Sequence, residues 1–244
     1  MSENHQPKYD EFTRQIIQQY NEIAQLAGAL AHEIKNPLSV IRMNVDLLSE
    51  DIEHDAPLNR HRVRGTIEIV QRQCERLENL LSEFLKFARL QQLDLRAGNL
   101  NEQIERVLDL FAIQAREQGI AVERYLDPDL PSIMLDEQTL ESALVNLVKN
   151  AIEAMPDGGV LTARTRVTRT GVALDLIDTG VGMTEATALH AFDTFFSDKD
   201  GGSGLGLPTT RKVIEAHGAE IFLQSDVGRG TQFTLEFPMP ARLP

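Results

Sequence analysis

Apolar residues recur at helical spacing near the start of the chain. Ile23, Ala27, Leu30 and Ile34 follow one another at intervals of four, three and four residues, which is typical of an amphipathic helix. At roughly 100° per residue these positions fall within about 60° of one another, and His32 points about 170° from their centre. The pattern therefore predicts that His32 lies on the polar face of the helix. By itself it leaves open whether His32 is a functional group or a solvated surface histidine.

Two longer apolar seams follow, each with the heptad spacing of a coiled coil. The predicted seam on the first helix is Leu38, Ile41, Val45, Leu48 and Ile52, and that on the second is Ile67, Val70, Cys74, Leu77, Leu81, Phe84 and Ala88. We predict a hairpin of two long helices joined by a turn centred on residues 55–57. Because two helices alone bury too little apolar surface, we expect a homodimer that closes a four-helix bundle.

Two residues of these helices carry further expectations. Pro37 removes one backbone hydrogen bond and is expected to bend the first helix one turn beyond His32. Cys74 lies in the second predicted seam, so its expected role is core packing and not chemistry.

The pattern changes after Leu95, where short strands begin to alternate with helices. We predict helices at 101–117, 137–155 and 208–217, strands near 120–126 and 132–135, and hairpins of 160–168 with 172–177 and 219–226 with 231–237. Asp136 is the expected N-cap of the middle helix. This order predicts an α+β domain with helices stacked on one face of a largely antiparallel sheet.

Composition narrows the classes of partner. The net charge is −13, with 42% hydrophobic and 25% charged residues, which argues against nucleic acid or an anionic membrane as the main partner. The single cysteine excludes an internal disulfide. No run approaches the roughly 18 apolar residues of a membrane span, and the polar N-terminus has no signal-peptide core. We therefore expect a cytoplasmic protein without membrane insertion.

The segment NLVKNAIEAM carries two amides that share one helix face. Asn146 and Asn150 are four residues apart, so their side chains are neighbours. They could hydrogen-bond each other or cap a neighbouring loop. Alternatively, an amide oxygen could coordinate Mg²⁺, a cation that prefers oxygen ligands and usually bridges to phosphates.

A second candidate piece is VALDLIDTGVGM, in which a predicted strand ends at Asp178. Gly180 and Gly182 would let a ligand approach the backbone closely. A carboxylate at this position could accept a hydrogen bond from an exocyclic amine such as that of adenine. The same residues would also suit an ordinary turn.

A third piece, FDTFFSDKDGGSGLGLP, has glycines at positions 201, 202, 204 and 206 before Pro208. A glycine-rich segment that leads into a helix N-terminus is a ready anion site. Lys199 could add a positive charge for phosphate. The alternative is a plain flexible linker.

Together, in this order and spacing, these pieces resemble the N, G1, F and G2 boxes of the histidine-kinase ATP-binding domain. GRGTQFTLEFP resembles the closing hairpin of that fold, and HEIKNPL at 32–38 resembles the H box of the phosphotransfer domain. The resemblance is to sensor histidine kinases and covers about residues 20 to 240. It implies a dimeric four-helix bundle over 21–96, after a polar extension at 1–20, and an α/β-sandwich (Bergerat-type) ATP-binding domain over 97–240.

The resemblance also implies residue roles. His32 would be the phosphoacceptor, Glu33 would hold or deprotonate its imidazole, and Asn36 would serve in dephosphorylating the partner. ATP and Mg²⁺ are the implied cofactors, with Asn150 as metal ligand and Asp178 as reader of the adenine. The implied ATP-binding residues are Asn146, Asn150, Asp178, Gly180, Gly182, Lys199, Gly202, Gly204, Leu205, Gly206 and Thr231.

The implied activity is autophosphorylation followed by transfer to an aspartate of a response-regulator receiver domain, and dephosphorylation of that partner. Residues 1–20 are too few for a sensor domain, so the stimulus is expected to arrive through a separate protein. Asp198 beside Lys199 departs from the family pattern and weakens the lysine's expected phosphate role. The alternatives are a GHKL-type ATPase, disfavoured because Asn146 stands where those enzymes carry a catalytic glutamate, and a dimeric scaffold that uses ATP only as a switch.

Overall fold

The computed structural model describes residues 6–53, 60–89, 93–199 and 202–239. The chain divides into two compact units, Met1–Ala88 and Arg89–Pro244, called here the N-terminal and C-terminal units. In the described residues, no helix is both long and apolar enough to cross a bilayer.

The N-terminal unit consists of two helices, α1 (Gln6–Glu53) and α2 (Arg60–Arg89). Helix α1 begins within the segment expected to be only a polar extension, and Pro37 lies inside it without ending it. The two helices meet where Arg76 Nη2 of α2 lies 3.9 Å from Glu33 Oε2 of α1. The predicted turn at 55–57 falls outside the described residues.

The N-terminal unit buries a row of residues adjacent to the predicted seam. Pro37 and Asn44 of α1 are buried, as are Leu80 and Phe87 of α2. The seam itself stays partly open, with exposed fractions of 48% for Leu38, 49% for Val45, 45% for Ile67 and 50% for Leu81. Cys74 is also exposed, so nothing within the single chain gives it the packing role expected from its place in the seam. The buried positions precede seam positions by one residue, a rotation of roughly 100° on a helix.

The C-terminal unit alternates short helices and strands. Its elements are β1 (Arg96–Gly98), α3 (Leu100–Leu110), α4 (Ala112–Glu117), β2 (Ile120–Tyr125), β3 (Ile133–Leu135), α5 (Glu137–Glu153), β4 (Gly159–Val167), β5 (Gly171–Asp178), α6 (Glu185–His190), α7 (Gly206–Ala216), β6 (Glu220–Asp226) and β7 (Gly230–Pro238). β1 pairs with β3 in a small antiparallel sheet. The main sheet has the order β2-β4-β5-β7-β6, in which only β2–β4 is parallel.

One apolar core joins the helices to one face of the main sheet. It includes Ile104 of α3, Leu144 of α5 and Ile214 of α7, packed with strand residues such as Leu174 and Leu235. The side chains that alternate with these on β5 point to the other face, where the buried Asp175 is held by Arg164 and Arg166. The result is a two-layer α/β sandwich, which confirms the predicted fold class for this unit.

Helix α5 starts at a capping site that also fixes two neighbouring segments. Asp136 accepts hydrogen bonds from the backbone N–H of Thr139 (3.0 Å) and of Asp94 (2.9 Å). Its own N–H donates to Nε2 of the buried His217 at 3.0 Å. Burial raises the pKa of the Asp136 carboxyl, but these hydrogen bonds and His217 outweigh it and hold that pKa below its ordinary value.

Replacing Asp136 by Ala should therefore destabilise the C-terminal unit. Loss of an N-cap typically costs about 0.5–2 kcal/mol of unfolding free energy. Because the pKa is lowered in the folded state, this stabilisation is present at neutral pH and is lost as the pH falls through that pKa. Urea unfolding followed by circular dichroism at several pH values measures it. Asp136→Asn, which keeps the acceptor for Thr139, should lose less, and equal losses would contradict a capping role.

Candidate functional site

The predicted phosphoacceptor lies on the open face of α1. His32 is exposed, and so is Asn36 one turn later, as the periodicity predicted. The expected support of His32 by Glu33 is absent from the described contacts. Glu33 is half-buried and faces Arg76 of α2 instead, and no hydrogen bond in the described residues joins it to His32. Adjacent side chains on a helix diverge by roughly 100°, which accounts for this difference.

Three acceptor side chains line one face of α5 and form what we call the acceptor row: Asn146, Asn150 and Glu153. Lys199 reaches the second and third of them. Its Nζ lies 2.7 Å from Glu153 Oε2 and donates to Asn150 Oδ1 at 3.4 Å. The lysine thus lies against the predicted metal ligand, with its charge balanced by a glutamate that the sequence analysis did not single out.

This arrangement fits a divalent cation. Carboxylate and amide oxygens are the ligands that Mg²⁺ prefers, and these two already hold the ammonium group of Lys199. The Lys199 and Glu153 side chains are 45% and 39% exposed, and such a pair contributes only about 0–1 kcal/mol. The ammonium group is therefore held only weakly, and displacing it from these oxygens by a divalent cation would cost little free energy.

Asp178 is a buried residue at the end of β5. It is 4% exposed, and its Oδ1 accepts hydrogen bonds from the backbone N–H of Gly180 (2.9 Å) and of Thr231 (3.1 Å). Within the described residues Oδ2 accepts none. Burial raises the pKa of the Asp178 carboxyl; these two hydrogen bonds and the charge of Lys199 only partly offset it. A buried carboxylate with one free oxygen suits an amine donor such as that of adenine.

The turn after Asp178 follows a path that only small residues permit. Gly182 has φ 65°, and a β-carbon there would lie 2.0 Å from the carbonyl oxygen of Asp226. A β-carbon on Gly180 would lie 2.4 Å from the carbonyl oxygen of Ala154, at the end of α5. The turn therefore lies directly against the end of the helix that carries the acceptor row.

The glycine-rich segment leads into α7, which begins at Gly206 and not at Pro208 as predicted. Its N-terminus has no side-chain cap, which leaves backbone N–H groups for an anion. Leu205 is fully buried, its backbone N–H donates to Ser203 Oγ at 3.1 Å and its carbonyl oxygen accepts from Thr209, so it supports the loop and presents no free group to a ligand. Gly204 packs against Phe195, and Gly202 against Ser197. Gly201 lies outside the described residues.

Two predicted residues support the site more than they line it. The hydroxyl of buried Thr231 is hydrogen-bonded to Ser225 at 2.9 Å, so Thr231 contributes its N–H to Asp178. Asn146 Nδ2 donates to Thr210 Oγ1 at 2.9 Å, on α7. Ser225 and Thr210 were missed because no motif marks them. Strand register and helix packing, which one-dimensional spacing does not reveal, bring them here.

Two family models match the chain. Residues 22–93 match the His Kinase A (phospho-acceptor) domain, and residues 135–241 match the histidine kinase-, DNA gyrase B- and HSP90-like ATPase. His32 and Asn36 fall in the first segment, and the predicted ATP-binding residues, from Asn146 to Thr231, all fall in the second.

The similar curated proteins and solved structures are likewise kinases. Sporulation kinase E of Bacillus subtilis (strain 168) is 31% identical over 89% of this chain and 29% of its own. The catalytic domain of histidine kinase ThkA is 32% identical, with a TM-score of 0.55 over 60% of this chain and 96% of its own. ThkA in complex with the response regulator protein TrrA is 26% identical, with a TM-score of 0.75 over 98% of this chain and 68% of that one.

A further similar structure is full-length ShkA in complex with AMPPNP, which is 25% identical, with a TM-score of 0.62 over 89% of this chain and 46% of its own. The chain spans about 29% to 50% of the length of the curated relatives it matches.

Proposed function

The chain belongs to the sensor histidine kinase family, and from this we propose that it is an ATP-dependent autokinase that phosphorylates His32 and passes the phosphoryl group to an aspartate of a response regulator. One observation carries the proposal. A single chain combines an exposed histidine in its phospho-acceptor segment with a buried carboxylate, an amide pair and an uncapped helix N-terminus in its ATPase segment.

The roles of the nucleotide residues follow from their contacts. Asp178 accepts the adenine amine on its free oxygen, and Gly180 and Gly182 let the turn that positions it pack against the carbonyl oxygens of Ala154 and Asp226. The N-terminus of α7 binds phosphate oxygens through its backbone N–H groups. Asn150 would hold Mg²⁺, which would supply positive charge to the phosphate groups. Lys199 then leaves Glu153 and Asn150 to contact phosphate.

The transfer step requires an imidazole nitrogen with a free lone pair. That nitrogen of His32 attacks the γ-phosphorus, a nitrogen–phosphorus bond forms, and the bond to the ADP oxygen breaks with its electrons leaving on ADP. The exposure of His32 supports this role, because a nucleophile in a core could reach neither a nucleotide nor a partner protein. The product is a phosphoramidate, which can donate its phosphoryl group to a carboxylate.

A response-regulator receiver domain is the proposed acceptor. The ThkA–TrrA complex supports a partner of this class. Asn36 is exposed one turn from His32, so its amide could orient water toward an aspartyl phosphate docked on this face. Dephosphorylation of the regulator is therefore part of the proposal.

A homodimer is the proposed assembly. In each protomer the residues of the predicted seam are partly exposed, whereas the adjacent row is already buried within the chain. Burying a large apolar side chain contributes about 1.5–3 kcal/mol, so several such residues favour pairing with a second copy. In that dimer Cys74 would be covered by the partner, which restores the packing role expected from its position in the seam.

Leu81→Asp should shift the full chain from dimer to monomer at micromolar concentration. Leu81 is 50% exposed in the single chain, so the substitution costs little there, but it introduces two carboxylates into the proposed interface. Multi-angle light scattering gives the mass. Leu47→Asp is the matched control, because Leu47 is 41% exposed but lies off the seam, and it should leave the dimer intact. Equal masses for both variants would refute the interface.

The activity is tested by incubating the protein with γ-labelled ATP and Mg²⁺. A phosphohistidine should appear as protein-bound label that acid removes and base does not. Release of free phosphate with no bound label would indicate a GHKL-type ATPase instead. Nucleotide binding with neither label nor phosphate release would indicate an ATP-switched scaffold.

A further inference from the structure

Thr210 is a buried polar residue that the proposed function does not use. It lies in α7 with 1% of its surface exposed. Its hydroxyl donates to the carbonyl oxygen of Gly206 at 3.1 Å and accepts the amide N–H of Asn146 at 2.9 Å. Valine has nearly the same shape, so packing alone does not require a hydroxyl here.

The hydroxyl fixes the orientation of the Asn146 amide. A threonine hydroxyl has one proton, and that of Thr210 is directed at Gly206. It must therefore accept a proton from Asn146, which requires Nδ2 on this side and Oδ1 on the other. A β-carbon on Gly206 would lie 2.5 Å from Oδ1, so this oxygen faces the start of α7. In the described part of the chain Oδ1 accepts no hydrogen bond.

We propose that Thr210 is a positioning residue of the nucleotide site: it holds the N–H of Asn146 and leaves the Asn146 oxygen, one helix turn from Asn150, free to accept from the hydrated Mg²⁺ of the bound nucleotide. The inference rests on the proposed Mg-ATP binding. An amide that offers Nδ2 would bind phosphate oxygens, whereas one that offers Oδ1 binds a metal ion or the hydrogens of its water. Asn146 thus acts as an acceptor beside Asn150, whose oxygen already holds the ammonium of Lys199.

The competing explanation is purely structural. Threonine in a helix often donates to the carbonyl four residues earlier, as Thr210 does to Gly206. If that were its only role, losing the hydroxyl would loosen α7 and weaken nucleotide binding whether or not metal is present. If it orients Asn146, the loss should depend on the metal.

Calorimetry on the full chain distinguishes the two. Wild type, Thr210→Val and Thr210→Ser are titrated with a non-hydrolysable ATP analogue, once with Mg²⁺ and once with EDTA. Thr210→Val should weaken binding about three- to tenfold with Mg²⁺, the usual range for one hydrogen bond. With EDTA its affinity should stay within about twofold of wild type, and Thr210→Ser should restore Mg²⁺-dependent binding.

Equal losses of affinity with and without Mg²⁺, or no loss at all, would overturn the inference. Asn146→Ala provides a second test that does not depend on the folding of Thr210→Val. It should show the same metal-dependent loss, and a loss that ignores the metal would equally refute the proposal. Failure of the wild type to bind the Mg²⁺ complex would instead refute the proposed function.

Discussion

His32→Gln should abolish the incorporation of label from γ-labelled ATP while leaving nucleotide affinity within about twofold of wild type. Glutamine offers no nucleophilic nitrogen, so no phosphoramidate can form. His32 belongs to the phospho-acceptor segment, whereas the proposed nucleotide-binding residues belong to the ATPase segment. The substitution therefore leaves all of those binding residues unchanged. Label is measured on the denatured protein, and affinity by calorimetry.

His61→Gln is the matched control, since His61 is an exposed histidine on the other helix of the same unit. It should retain labelling. Persistent label in His32→Gln would mean that another residue is the acceptor, and loss of label in both variants would point to damage of the helical unit as a whole.

Periodicity located the long elements because their apolar faces span several turns. Helices α1, α2 and α5 were predicted in this way, and Asp136 was recognised as the cap of α5 from its residue type. Strand β1 was missed because its residues, Arg-Ala-Gly, show no apolar alternation, and helix α6, with six residues, is too short for a helical period to appear. The predicted helix at 101–117 is two helices divided at Phe111, a break that no glycine or proline announces.

The heptad pattern identified apolar rows but not which surface each row meets. The single chain buries Asn44 and Leu80, each one position before a seam residue, and leaves Val45 and Leu81 half open. The same two helices form both the contact within the chain and the proposed contact between two chains. These two contact surfaces are roughly one residue of helical rotation apart. Spacing alone cannot assign the rows, because both interfaces share the same repeat.

In the candidate site, too, the motifs identified residues by their type, whereas only the structure shows which side chains contact one another. The motifs identified Asn150, Asp178 and the glycines, since these positions demand particular chemistry or the absence of a side chain. The structure adds Glu153, which balances Lys199, and Thr210, which orients Asn146. These partners are joined by tertiary packing across 46 and 64 residues of sequence, respectively, and so leave no local pattern.

Asp178→Asn should lower the affinity for ATP by at least about tenfold, since a hydrogen bond to a charged group contributes about 1.5–3 kcal/mol. Asparagine can keep its oxygen toward the backbone N–H groups of Gly180 and Thr231, so the turn should persist. Its NH₂ would then replace the free carboxylate oxygen and face the adenine amine, donor against donor. Calorimetry with the non-hydrolysable analogue measures the loss.

Two further measurements separate base recognition from a general loss of structure. Inosine triphosphate carries a carbonyl in place of the adenine amine, so wild type should prefer ATP and Asp178→Asn should lose that preference. Burial raises the pKa of the Asp178 carboxyl above its ordinary value, so the wild-type affinity for ATP should fall as the pH drops from neutral through that raised pKa, when protonation removes the acceptor. The affinity of Asp178→Asn for ATP should not show this fall at low pH. An unchanged preference and pH profile in the variant would mean that Asp178 only closes the turn after β5 and does not read the base.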